Sequence, residues 1–144
     1  MRPCRAIAVL SVAAALAVSP TSGQIRPPSI SCAVSDTNMH LDLFLPLGFD
    51  GAVAKTGLQG ALDIHHYKVA KERRRWQLDG RMPTQMWYVG NDLKLRLTLV
   101  PGENLVDLII DTQRRPDGAI HMGNFRLETG EGVRVTGRIE CTAG

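Results

Sequence analysis

The chain is expected to be all-β: an antiparallel β-sandwich or small β-barrel of about seven to nine strands, with one disulfide joining the terminal strands. Three observations carry that expectation. Apolar residues alternate with polar ones in several short runs, the period of a half-buried strand. Turn-forming clusters rich in Gly, Pro, Asn and Asp recur every ten residues or so. Two cysteines, Cys32 and Cys141, stand near the two ends of the mature chain.

Residues 1–23 read as a secretory leader. Arg2 and Arg5 precede an apolar run at 6–18, which is too short to span a bilayer. Ser19, Pro20, Thr21, Ser22 and Gly23 follow, and cleavage is expected after Gly23. The expected location is therefore exported, periplasmic or extracellular, with no membrane-spanning segment left after processing. The full chain has 144 residues, so removing 23 leaves 121, enough for one domain with its own core. The full chain carries 17 basic and 14 acidic residues. Losing Arg2 and Arg5 reduces the bases to 15, a net charge near +1. That balance gives no reason to expect nucleic-acid binding.

Cysteine usage agrees with export. Cys4 lies in the leader, which leaves an even pair. An even pair in an exported chain points to a disulfide. Ile30, Cys32 and Val34 share one strand face, as do Val133, Val135, Gly137, Ile139 and Cys141, so both sulfurs point inward. Closing a loop of about a hundred residues should stabilise by about 4 to 5 kcal/mol. A metal site is disfavoured because the pair lacks CxxC spacing.

Residues 24–29 contain Arg26, Pro27 and Pro28 and read as an extended lead-in to a single domain at 30–144. A first short strand is expected at 31–35, followed by a turn at Asp36, Thr37 and Asn38. The run 39–45, MHLDLFL, alternates Met39, Leu41, Leu43 and Leu45 against His40, Asp42 and Phe44. Residues 46–51 break it. A strand pattern resumes near Lys55 and runs to about Val69, with a helix at 57–69 as the competitor; Gly57 and Gly60 argue against the helix.

The segment 84–89, TQMWYV, is rich in strand formers. Gly90, Asn91 and Asp92 turn it into the clearest element, a hairpin over 93–111. Leu93, Leu95, Leu97 and Leu99 form one face, and Val106, Leu108 and Ile110 one face of the return strand. Pro101 and Gly102 suit a type II turn at its tip. Lys94, Arg96, Asp107 and Asp111 read as a solvated face with cross-strand ion pairs. After a turn at 114–118, a strand is expected at 119–128, bulged at Gly123 and Asn124. Gly130, Glu131 and Gly132 turn it into the last strand, 133–141.

No catalytic constellation is present: there is no GxSxG and no HExxH. The aspartates Asp36, Asp42 and Asp63 are not brought near a histidine by any recognisable motif. Four histidines and neighbouring methionines would suit copper, but Met39/His40, His121/Met122 and His65/His66 are adjacent pairs that point apart on a strand. No cofactor, metal or catalytic residue is therefore assigned.

The candidate binding patch is Lys71, Arg73, Arg74, Arg75, Trp76, Trp87 and Tyr88. Its first part lies in the charge run KVAKERRR at 68–75. Arginine forks suit carboxylate and phosphate, and Trp76 offers a stacking surface. The competing reading of the run is a solvated connection between strands. Of the neighbours Trp87 and Tyr88, one should be core and the other exposed. Taken together, these features predict an exported, non-catalytic binding module contacting a protein or an anionic envelope polymer. The alternative is a small-ligand or lipid-binding barrel, which requires an apolar internal cavity. A hydrolase or metal protein ranks behind both.

Overall fold

The structure, a computed structural model, describes residues 28–48, 54–82, 84–100, 104–116 and 118–144. The expected leader, most of the expected lead-in and the hairpin-tip residues 101–103 lie outside the described residues. Nine strands form among the described residues: β1 (Ser29–Ser35), β2 (Met39–Pro46), β3 (Gln59–Ile64), β4 (Arg75–Asp79), β5 (Thr84–Val89), β6 (Asp92–Val100), β7 (Val106–Arg114), β8 (Ile120–Thr129) and β9 (Arg134–Ala143). They make one antiparallel sheet in the order β4-β3-β2-β1-β9-β8-β7-β6-β5, curled into a half-barrel. The chain steps outward from β1 to β4 at one edge. It then crosses to β5 at the other edge and steps back until β9 lies beside β1.

Alternation in sequence becomes inside and outside. Ile30, Cys32 and Val34 on β1 and Met39, Leu41, Leu43 and Leu45 on β2 are buried. So are Leu93, Leu95 and Leu97 on β6, Val106, Leu108 and Ile110 on β7, and Phe125 and Leu127 on β8. These side chains line the inner face as one core. Turn chemistry sets the joints between strands. Asp36 Oδ1 accepts hydrogen bonds from the backbone N–H groups of Asn38 and Met39, both at 2.8 Å, closing the β1–β2 turn. Gly90 takes φ +60° in the β5–β6 turn, where a side chain would be strained.

Cys32 and Cys141 face each other directly across the β1–β9 ladder, with Cα atoms 4.0 Å apart, and are disulfide-bonded. The β1–β9 ladder has four residue pairs, Ile30–Ala33 against Glu140–Ala143, and joins the two halves of the sheet. The bond therefore fastens the seam at which the two meanders meet. It is also compatible with an oxidising, exported location.

Three local expectations are corrected. The pattern from 55 to 69 holds as a strand only over Gln59–Ile64; Lys55–Gly57 is a short 3-10 helix. After Ile64 the chain leaves the sheet, because Arg74 gathers the loop by donating to the carbonyls of Val69 (2.9 Å) and Tyr67 (3.2 Å). No bulge occurs at Gly123 and Asn124, where the ladders to β7 and β9 run unbroken. Gly123 serves close approach instead: a Cβ there would collide with the carbonyl oxygen of Asp111. The irregularity falls between Thr98 and Val100 on β6. Leu99 is the residue left over, so it packs only partly against the core and leaves the leucine face at Leu97.

Candidate binding site

The β3–β4 connection carries most of the candidate basic patch. Lys71 and Arg73 belong to a short 3-10 helix, Lys71–Arg73, and Lys71 is exposed. Arg73 forms an ion pair with Glu131 in the β8–β9 turn and donates to Asn104 Oδ1 at 3.1 Å. Arg74 is spent on the two loop carbonyls described above. Arg75, on β4, pairs with Asp63 on neighbouring β3 at 3.1 Å. Trp76 points inward, packs against the core and donates its indole N–H to the Arg73 carbonyl at 2.7 Å. Each of the three arginines thus has a partner within the fold. The segment ties the β3–β4 connection to the far turns.

The second part of the patch splits as the alternation requires. Trp87 points outward from β5 and is 54% exposed. Tyr88 points inward, with its ring 5.7 Å from that of His121 and tilted 48° to it. Trp76 and Trp87 lie on β4 and β5, the opposite edges of the sheet order, so strand pairing does not bring them together.

What the register does bring together is a row that crosses five strands on the outer face. Trp87 pairs with Lys94, Lys94 with Asp111, Asp111 with Asn124, and Asn124 with Arg138. At 4.7–4.9 Å per strand the row spans about 19 Å. A surface groove of about 910 Å³ follows it, lined among others by Lys94, Asp111, Asn124 and Arg138, with Gln113 and Arg126 beside them. A second depression, lined by Trp87, Val89, Asp92 and Lys94, adjoins the first through Asp92 and Lys94. Lys94 and Asp111 approach to 3.7 Å, a loose exposed pair. Asn124 and Arg138 have no side-chain hydrogen bond or ion pair among the described residues and face solvent. Two other pairs on this face are engaged: Arg134 with Glu128 at 2.9 Å, and Arg96 with Asp107 at 2.8 Å. Asp107 is 1% exposed despite pointing outward, and also accepts a hydrogen bond from Thr98 Oγ1 at 2.9 Å. That carboxylate holds the Arg96 guanidinium above its usual pKa through hydrogen bonding and charge.

Sequence reasoning reached Trp87 but not Asn124 or Arg138. The one available signal was that each occupies a polar, outward position in an alternating strand. Nothing local says that those positions align in one row.

Three of the histidines have separate neighbours. His40 pairs with Asp42 at 2.9 Å, His65 lies 3.9 Å from Asp63, and His66 stacks on Tyr67. Among the described residues no three His, Cys, Asp or Glu side chains gather as a metal site. Asp36 is committed to its turn and Asp63 to Arg75. His121 is fully buried on the inner face, where burial first and the Arg114 charge second lower its pKa; neither ring nitrogen has a hydrogen-bond partner among the described residues. No helix among the described residues is long and apolar enough to cross a membrane. No protein-family model matches the chain, and no curated protein or solved structure is significantly similar to it.

Proposed function

We propose that this chain is an exported, non-catalytic binding module, and that it contacts an envelope polymer or protein through the outer face of β5–β9. The observation that carries this reading is a contrast between two surfaces. In the segment 71–76 every arginine is consumed by internal partners. On the β5–β9 face, exposed Trp87 lines a depression that adjoins a groove in which Asn124 and Arg138 keep their hydrogen-bonding capacity for a ligand. A binding site needs polar groups that are ordered by the scaffold yet unsatisfied by it. The strands supply the order, and the unpaired side chains supply the capacity.

The alternative of an internal lipid or small-ligand barrel draws less support. Its cavity would need to lie among the inward positions, and aliphatic side chains fill those at or near zero exposure. The test is retention of the purified, oxidised chain on immobilised envelope material. Trp87→Ala with Arg138→Ala should abolish retention, while Lys71→Ala should leave it intact. Retention lost with Lys71→Ala but kept in the double variant would move the site back to the β3–β4 connection.

A further inference from the structure

Resting on that reading of the β5–β9 face, we infer that the ligand of the groove is a glycan chain lying across the strands. The row offers three kinds of group in a fixed order. At the β5 edge stands an exposed indole, Trp87. The middle holds an acid and an amide, Asp111 and Asn124, and the β9 end a free guanidinium, Arg138. An indole face suits the C–H-rich face of a sugar ring, because its quadrupole attracts weakly positive hydrogens. Planar carboxylate, amide and guanidinium groups can each engage two neighbouring atoms at once.

The mixture of charges decides between ligand classes. A polyanion would be drawn to Lys94, Arg126 and Arg138 but opposed by Asp92 and Asp111, all of which line the groove. A polycation meets the reverse conflict. Hydroxyl groups donate and accept alike, so one ligand type satisfies Asp111 and Arg138 together. An extended peptide would be expected at a free strand edge, where backbone groups pair. This row instead runs perpendicular to the strands and is built from side-chain tips. Its length, about 19 Å over four strand spacings, accommodates a short oligosaccharide.

The test uses the oxidised chain on a glycan array, followed by calorimetric titration of the best oligosaccharide and of inorganic polyphosphate as an anion without sugar rings. Oligosaccharide binding is expected, weakened at least about tenfold by Trp87→Ala, the loss typical of an aromatic anchor. Asn124→Ala and Arg138→Ala should each weaken it as well, with unchanged melting temperature. Lys71→Ala should bind as wild type. Binding of polyphosphate but of no glycan would overturn the inference, as would glycan binding indifferent to Trp87→Ala. Retention on envelope material that depends on Trp87 and Arg138, combined with a blank array, would sink the glycan and leave the binding face standing.

Discussion

Breaking the Cys32–Cys141 bond should weaken the whole fold and open it first at one seam. The two cysteines are separated by 109 positions in sequence. In the chain-entropy model a closed loop of that size lowers the free energy of the folded state relative to the unfolded by about 4.8 kcal/mol. Small domains have a total stability of about 5–15 kcal/mol, so the loss removes a third of it or nearly all. With a urea dependence of about 1–2 kcal/mol per molar, the midpoint should fall by about 2–5 M. The assay is equilibrium urea unfolding, followed by tryptophan fluorescence, of the oxidised protein, the reduced protein and a Cys32→Ala, Cys141→Ala double variant. Hydrogen exchange on the reduced form adds a spatial test. The bond lies in a ladder of four pairs, whereas β7 and β8 share nine. Amides at Ile30–Ala33 and Glu140–Ala143 should therefore lose protection before those of β7 and β8. A midpoint shift under about 0.5 M would refute the entropic argument, and uniform loss of protection would refute the seam.

Three further outcomes follow from particular contacts. Asp107 is buried and Arg96 half-exposed, so Arg96→Met should be the more destabilising change, because it leaves a desolvated carboxylate without its counter-charge and with Thr98 as its remaining side-chain donor. Asp107→Asn should cost only about 1 kcal/mol; urea titration giving the reverse order would show that Asp107 is not desolvated. His121, whose pKa burial lowers, binds fewer protons folded than unfolded. Stability is then fully present above the unfolded value near 6.5 and is lost as pH falls below it, levelling off beneath the folded value. His121→Leu should flatten the fall in melting temperature between pH 7.5 and pH 5; an unchanged slope would assign that fall to other groups. Gly123→Ala should destabilise by about 3 kcal/mol, since its Cβ would meet the β7 backbone, while Gly118→Ala, with its nearest neighbour at 3.9 Å, should be nearly neutral by thermal melt.

Some of the candidate site was readable before the fold was. The adjacency of Trp87 and Tyr88 required one to face out and one in, because neighbouring strand residues point to opposite faces. Which of the two faced out depended on β5 lying against β6 in a particular register, which neither residue encodes. The run at 73–75 reads as free positive charge because its partners Glu131, Asn104 and Asp63 lie elsewhere in the chain. Only folding shows that these arginines are engaged. Asp107 looked like an ordinary surface acid for the same reason: its burial comes from Arg96 and Thr98 on the neighbouring strand.

The sequence by itself determined the all-β class, the inward and outward faces of most strands, and the pairing of Cys32 with Cys141. Each of these rests on a local period of two or on the even pair of cysteines outside residues 1–23, the stretch expected to be a leader. Tertiary structure alone decided the strand order, the place of the bulge at Leu99 and the row from Trp87 to Arg138. Those depend on which backbone hydrogen-bonds to which across long stretches of chain. That choice is made by closing the whole sheet around its core, and no short window of residues contains it.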